Sequence, residues 1–283
     1  MRYPEVVLDK LVRPVGTNFA DLNEDGNMDF VLSLFGGFGG RFSWYENDAA
    51  GGYKEHVIFP KPGALGSEIL DLNGDGHLDI AVLIAQSTET LFFMYGDGAG
   101  NFTTSMIFQH PPVHGHTYFE LCDFDLDDDL DVVVTNGDNG EYTSPLKNYH
   151  GICIYPNDGN NQFEERFFYP LNGAFKAMAR DFDQDGDMDI AAISYFPDYR
   201  STPDESFVYL ENKGDFQFTS STFEERLRGR WLTMDSGDVD GDGDEDIVLG
   251  SVVTDLGFVP NNLIKSWNES GTTIVILENT TAN

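Results

Sequence analysis

Positive charge is what this sequence has least of. Sixteen Lys and Arg stand against 49 Asp and Glu, a formal net charge of −33 over 283 residues. Nucleic acid is excluded as a partner, because binding it requires a basic footprint. Long apolar runs are missing as well. No stretch approaches the ~20 residues of a membrane helix, so insertion into a membrane is not expected. The opening MRYPEVVLDKLVRP lacks the apolar core of a secretory leader. There is no nucleophile motif, no phosphate-binding loop and no Cys/His zinc pattern. Cysteine occurs only twice. Aromatic residues, by contrast, make up 13%, which is too many for a disordered acidic chain.

What the sequence does have is aspartate in register. DFDQDGDMD (181–189) carries Asp at every odd position. Carboxylates this close repel one another, so either the stretch is a solvated tract or a cation belongs among them. The stretch recurs as DLNEDGNMD from Asp21, DLNGDGHLD from Asp71, DFDLDDDLD from Asp123 and DVDGDGDED from Asp238, with starts 50, 52, 58 and 57 residues apart. Self-similarity at this period signals a repeat architecture. A solvated tract has no reason to keep such a register.

Alternate side chains of a tight loop can converge on one centre. Hard oxygen donors at positions 1, 3 and 5, a backbone carbonyl at 7 and a carboxylate at 9 suit Ca2+ better than Mg2+, which keeps its waters. The candidate sets are Asp21, Asn23, Asp25, Asn27 and Asp29; Asp71, Asn73, Asp75, His77 and Asp79; Asp123, Asp125, Asp127, Asp129 and Asp131; Asp181, Asp183, Asp185, Asp187 and Asp189; and Asp238, Asp240, Asp242, Asp244 and Asp246. Up to five ions are expected, which would leave a charge of about −23. Position 6 is Gly26, Gly76, Gly186 and Gly243, where a left-handed backbone is needed. In the third loop Asp128 stands there, a residue that tolerates that region. An EF-hand is excluded. It requires a bidentate Glu at position 12, and here that position is Leu32, Val82, Val134, Ala192 and Leu249.

The segments after the loops, FVLSLF, IAVLIA, VVVTN, IAAISY and IVLGSV, are short, apolar and rich in β-branched residues, and predict buried strands. A third strand follows in each repeat. A more polar fourth follows at 53–59, 102–108, 163–169 and 218–224. The reading is an all-β chain, a β-propeller of four-stranded antiparallel blades with a calcium loop between strands one and two. Five blades are visible, at about 11–59, 64–108, 115–169, 174–224 and 229–283. Residues 3–9 resemble a fourth strand and are expected to close the last blade. The rival expectation is that this chain is part of a larger propeller. Cys122 falls at the end of strand one of the third blade and Cys153 in its strand three. Two strand spacings come to ~9.6 Å, beyond the ~7 Å reach of a disulfide, so none is expected.

These five loops between strands resemble the FG-GAP or VCBS repeats, found in integrin α-subunit propellers and in bacterial surface and secreted proteins. The resemblance covers nearly the whole chain and is closer to the bacterial VCBS type, since no Gly-Ala-Pro element is evident. It implies a calcium-stabilised propeller used for adhesion and recognition, placed extracellularly, at the cell surface or in the periplasm. Calcium is abundant outside the cytoplasm, so a mature fragment whose export signal has been removed is expected.

A glycan or protein ligand is expected on the face opposite the calcium loops. There the connections from strand two to three and from four to one, with long insertions at 135–151, 195–206 and 252–272, are expected to carry nine of the sixteen Lys and Arg, Lys176 among them, with aromatics including Phe38, Tyr142 and Phe258. Variable loops on a rigid scaffold are where function sits. The candidate ligand-binding residues are His114, His116, Lys147, Tyr149, Arg200, Arg228, Arg230 and Trp267. Trp231 reads as core, and Arg230 is expected to point to the central opening. His110, His114 and His116 are read as a cluster in one connection, with a structural or binding role. The alternative is a polysaccharide lyase, with His114 as base and Arg226, Arg228 and Arg230 neutralising a uronate.

Overall fold

Strands dominate the computed structural model, which describes residues 8–138, 146–253 and 259–281. The chain divides into two units, Met1–Val113 and His114–Asn283. The first holds two antiparallel sheets, each ordered as it runs in sequence. One is β1 (Pro14–Ala20), β2 (Asp29–Leu34), β3 (Arg41–Asn47) and β4 (Tyr53–Phe59). The other is β5 (Ala64–Leu70), β6 (Asp79–Gln86), β7 (Thr88–Gly96) and β8 (Phe102–His110).

The second unit holds three sheets of the same sequential order. The first is β9 (His116–Cys122), β10 (Asp131–Asn136), β11 (Gly151–Tyr155) and β12 (Phe167–Pro170). The second is β13 (Ala174–Arg180), β14 (Asp189–Ser194), β15 (Phe207–Asn212) and β16 (Phe218–Ser221). The last has three strands among the described residues: β17 (Trp231–Gly237), β18 (Asp246–Ser251) and β19 (Ile274–Leu277). Residues 3–7 of the expected closing strand, and Tyr142 and Phe258, lie outside the described residues.

The continuous apolar runs mark the second strand of each sheet. Every residue of β2, β10 and β14 is buried; in β2, Val31 packs toward the second sheet while Phe30, Leu32 and Leu34 lie against Leu8 and Leu11. In the first unit, Val31, Phe42 and Trp44 pack against Ile80, Val82, Ile84 and Met94. In the second, Val133, Ile152 and Ile154 meet Ala177, Ile190 and Leu210, and Met178, Ala191 and Ile193 meet Trp231, Met234 and Leu249. First strands are only partly covered. Fourth strands alternate in exposure.

Several expectations need correction. The fourth strand expected at 163–169 starts at Phe167 and runs to Pro170, after an isolated bridge between Asn157 and Phe163. The one expected at 218–224 ends at Ser221, where the chain turns into a short 3-10 segment at Arg226–Arg228. The connection 252–272 contains a helix, α1 (Asn261–Ser270). Its signals were present in the sequence: Pro260 precedes it, and Gly271 closes it at φ 62° with its N–H on the Trp267 carbonyl. Of the three histidines, only His114 lies in a connection, since His110 ends β8 and His116 opens β9. Lys176 lies within β13, its ammonium over the Tyr118 ring. Cys122 and Cys153 form no disulfide, and β10 separates their strands. Among the described residues, no helix is long and apolar enough to cross a membrane.

Close backbone approach sets one glycine. A Cβ on Gly137 would lie 2.0 Å from the Ala174 carbonyl oxygen and 2.4 Å from its nitrogen. Neither atom can move without breaking β13. Gly137→Ala is expected to cost about 3 kcal/mol by overpacking. A urea midpoint unchanged from that of the parent chain would contradict this packing.

Candidate metal centres and the opposite end of the sheets

Each Asp-rich loop joins strand one to strand two of its sheet. The position 1 carboxylate turns back on the loop's own amides. Asp21 accepts the N–H groups of Asp25 and Gly26 at 3.1 and 2.8 Å. Asp71 accepts those of Asp75 and Gly76 at 3.2 and 2.9 Å, and Asp123 those of Asp127 and Asp128 at 3.0 Å each. Position 5 accepts the amide of position 7, as in Asp25 with Asn27 at 2.8 Å and Asp185 with Asp187 at 3.2 Å. These bonds curl the loop so that the odd positions face inward.

Two residues per loop are left-handed. Position 6 has φ 87°, 90°, 74°, 98° and 96° at Gly26, Gly76, Asp128, Gly186 and Gly243. Asp128 thus adopts the conformation expected of it. Position 4 is left-handed as well, at Glu24, Gly74, Leu126, Gln184 and Gly241. Three of those five are not glycine, so the sequence carried no signal for it.

Position 9 has a role that sequence reasoning missed. Asp29, Asp79, Asp131, Asp189 and Asp246 are buried. Each carboxylate ties the chain at the end of strand three. Asp29 accepts Asn47 N–H at 2.8 Å, Asp79 accepts Gly96 N–H at 2.7 Å and Asp131 accepts Asn157 N–H at 2.7 Å. Asp189 and Asp246 accept Asn212 and Asn279 N–H, both at 2.8 Å. In four loops the other oxygen accepts the amide at position 2, from Leu22, Leu72, Phe124 and Val239. The residue is a clamp between loop and sheet, whatever else it binds.

The donors suit a hard divalent cation. Carboxylate oxygens of Asp123, Asp125 and Asp127 lie within 4.8 Å of one another, as do those of Asp181, Asp183 and Asp185, and those of Asp238, Asp240 and Asp246. Asp181 Oδ1 and Asp187 Oδ1 are buried with no hydrogen-bond partner. Burial, reinforced by neighbouring aspartates, pushes Asp183 and Asp187 above the usual carboxylate range. Burial pushes Asp131 up to about 6. A bound cation inverts that logic by favouring the ionised form. In the first unit the balance differs: the Asn27 amide holds Asp25 below its ordinary value and the Gly76 amide does the same for Asp71. There Asn23 and Asn73 occupy position 3 and donate to Asp25 and Asp75 at 3.2 and 3.0 Å.

The residues expected to bind a ligand at the other end do not form one site. His114 stacks on Tyr149 with ring centroids 5.0 Å apart, and its ring lies 6.4 Å from that of His116. His116, however, is buried and bonded through Nδ1 to Asn136 Oδ1. Arg230 does not point to an opening. It is 1% exposed, lies 3.9 Å from the Tyr195 ring centroid and donates from Nε to the Tyr195 carbonyl at 3.1 Å. Trp267 is buried too, its indole N–H on the Leu227 carbonyl at 2.7 Å. Helix α1 folds it inward, which a loop reading could not anticipate. Trp231 is core, as expected. Arg228 pairs with Glu225 at 2.6 Å, and Arg226 pairs with Asp204. Lys147 Nζ donates to the Asp138 carbonyl at 3.2 Å. Arg200 is exposed.

Sequentially ordered antiparallel sheets, four of four strands and one of three among the described residues, each with an acidic loop between strands one and two, define a repeat protein built from one strand–loop–strand unit. The FG-GAP-like repeat matches residues 21–82, 71–134 and 181–249, and the chain belongs to that family. Each match starts at position 1 of one loop and ends at position 12 of the next. No curated protein matches the chain. Among solved structures, the crystal structure of Saccharomyces cerevisiae Sqt1 is similar at 10% identity and a TM-score of 0.54, over 86% of this chain and 58% of that one. The likeness is one of fold.

Proposed function

We propose that the chain is a calcium-stabilised binding module of the β-propeller class, its five sheets the blades, which recognises a glycan or protein outside the cytoplasm. Asp123, Asp125, Asp127 and their counterparts in the other loops would hold the ions, which supply charge neutralisation. The loops' own amides orient the carboxylates. Calcium is plentiful outside cells, which supports the location.

The observation that carries the recognition reading is Phe38. Its side chain is 95% exposed, yet its loop is tied down. The Phe35 N–H donates to the Arg13 carbonyl at 3.1 Å, and Arg41 Nη1 donates to the Gly39 carbonyl at 2.9 Å. An aromatic ring held in water on a fixed loop, in a connection between strands two and three, fits contact with a partner. In the second unit Tyr149, in the connection between β10 and β11, stacks on His114, which lies just ahead of β9. The carboxylates at the other end are engaged with their own loops. The lyase alternative has less support, because Arg230 is buried and Arg226 and Arg228 are already paired.

A glycan array, run with an assay for unsaturated uronide products, tests this. Against the best array ligand, Phe38→Ala is expected to weaken binding about tenfold, ~1.4 kcal/mol. Glu164→Ala should leave it unchanged. Binding that survives Phe38→Ala but is lost on Asn23→Ala would place recognition at the acidic loops instead. Uronide release would favour the lyase.

A further inference from the structure

We infer that the five loops form two classes of cation site, and that the second unit requires its ions to stay folded while the first does not. This rests on the calcium reading above and sharpens it. The difference is written in positions 3 and 7. At their odd positions the first-unit loops carry three carboxylates each, at 1, 5 and 9, with Asn23, Asn27, Asn73 and His77 between them. At the same positions every loop of the second unit carries five, all Asp.

What fills the intervening positions decides how each loop stands without a cation. In the first unit they supply donors. Asn23 and Asn27 give their side-chain amides to Asp25 at 3.2 and 2.8 Å, and Asn73 gives its amide to Asp75 at 3.0 Å. His77 Nδ1 lies 2.6 Å from Glu24 of the preceding loop, joining the two loops. Those side chains give the loop carboxylates hydrogen-bond partners in place of further like charge.

In the second unit the same positions add acceptors. Three carboxylates crowd within 4.8 Å in each loop, and in the fourth loop Asp181 Oδ1 and Asp187 Oδ1 are buried with nothing to accept from. Gln184, the side chain in that loop able to donate an amide, spends it on the Gly243 carbonyl at 3.1 Å.

Charge is partitioned the same way across the chain. Residues 1–113 hold 15 acidic and 6 basic residues, and residues 114–283 hold 34 and 10, or −9 against −24. Calcium affinity in such loops rises with the number of charged ligands. Like-charge repulsion in the emptied loop rises with it. Both effects act in the same direction: the second unit's sites are tighter, and their loss is more damaging.

The full chain is titrated with calcium alone and read by native mass spectrometry, and amide exchange is followed in increasing chelator. Three ions should persist at free calcium levels where two are lost, with at least tenfold between the phases. Amides of β9–β19 should lose protection in chelator while those of β1–β8 keep it. The double change Asn23→Asp, Asn73→Asp adds charge without removing a packed group, and should draw the weak phase at least threefold toward the tight one. Uptake of five ions in one phase overturns the two-class inference alone. So does loss of protection in both units at the same chelator concentration. Failure to bind any ion overturns it together with the calcium reading.

Discussion

Excess chelator is expected to lower the melting temperature by at least about 15 °C. Three ions held at a hundredfold excess over Kd, each stabilising by ~2.7 kcal/mol, contribute about 8 kcal/mol. A unit of this size shifts by ~2–4 °C per kcal/mol. The physical source is the crowding of carboxylates: Asp123, Asp125 and Asp127 lie within 4.8 Å of one another, as do Asp181, Asp183 and Asp185. Their hydrogen bonds go to loop amides, which shape the loop but do not cancel its charge. Differential scanning calorimetry with and without chelator measures the shift. Identical melting curves would remove calcium from the account of this fold. Magnesium restoring the full shift would change the identity of the ion.

The second large effect is expected from a residue that the metal reading alone undervalues. Asp29 is fully buried. It accepts the Leu22 N–H at 3.3 Å, the Trp44 indole N–H at 3.0 Å and the Asn47 N–H at 2.8 Å. Removing the carboxylate strands three donors in the core between β2 and β3, and each buried unsatisfied group costs ~1–3 kcal/mol. Asp29→Ala is therefore expected to lose about 4 kcal/mol, allowing for partial rescue by water. Asp29→Asn retains one acceptor oxygen and should lose about half as much. The exposed Asn23→Ala should lose less than about 1 kcal/mol. Urea denaturation gives these values. The decisive condition is excess chelator, where the Asp29→Ala loss should remain, because its partners belong to the chain. If the loss disappears there, the carboxylate acts chiefly on a cation.

The sequence by itself determined the repeat, the acidic loops and the most buried strands. A run such as DFDQDGDMD tells of its turn because the requirement is local. Alternate carboxylates must face inward, and position 6 must be left-handed, so Gly, or in one case Asp128, has to stand there. The buried second strands are legible because a run like IAVLIA is apolar on both faces. The absence of a disulfide follows from counting strand spacings between Cys122 and Cys153.

Only the tertiary structure decided which side chains lie open at the other end. Arg230, Trp267 and His116 are polar or aromatic residues in or beside long connections, and nothing within ten residues of them says whether they face water. Arg230 is covered because the Tyr195–Phe196 pair, over thirty residues earlier, lies against it. Trp267 is covered because a helix brings it onto the Leu227 carbonyl, forty residues away. Position 9 belongs with them, since Asp29 reads as one more ligand until the end of strand three is seen to donate to it. Burial depends on partners distant in sequence, and a loop's spacing records only what its own backbone requires.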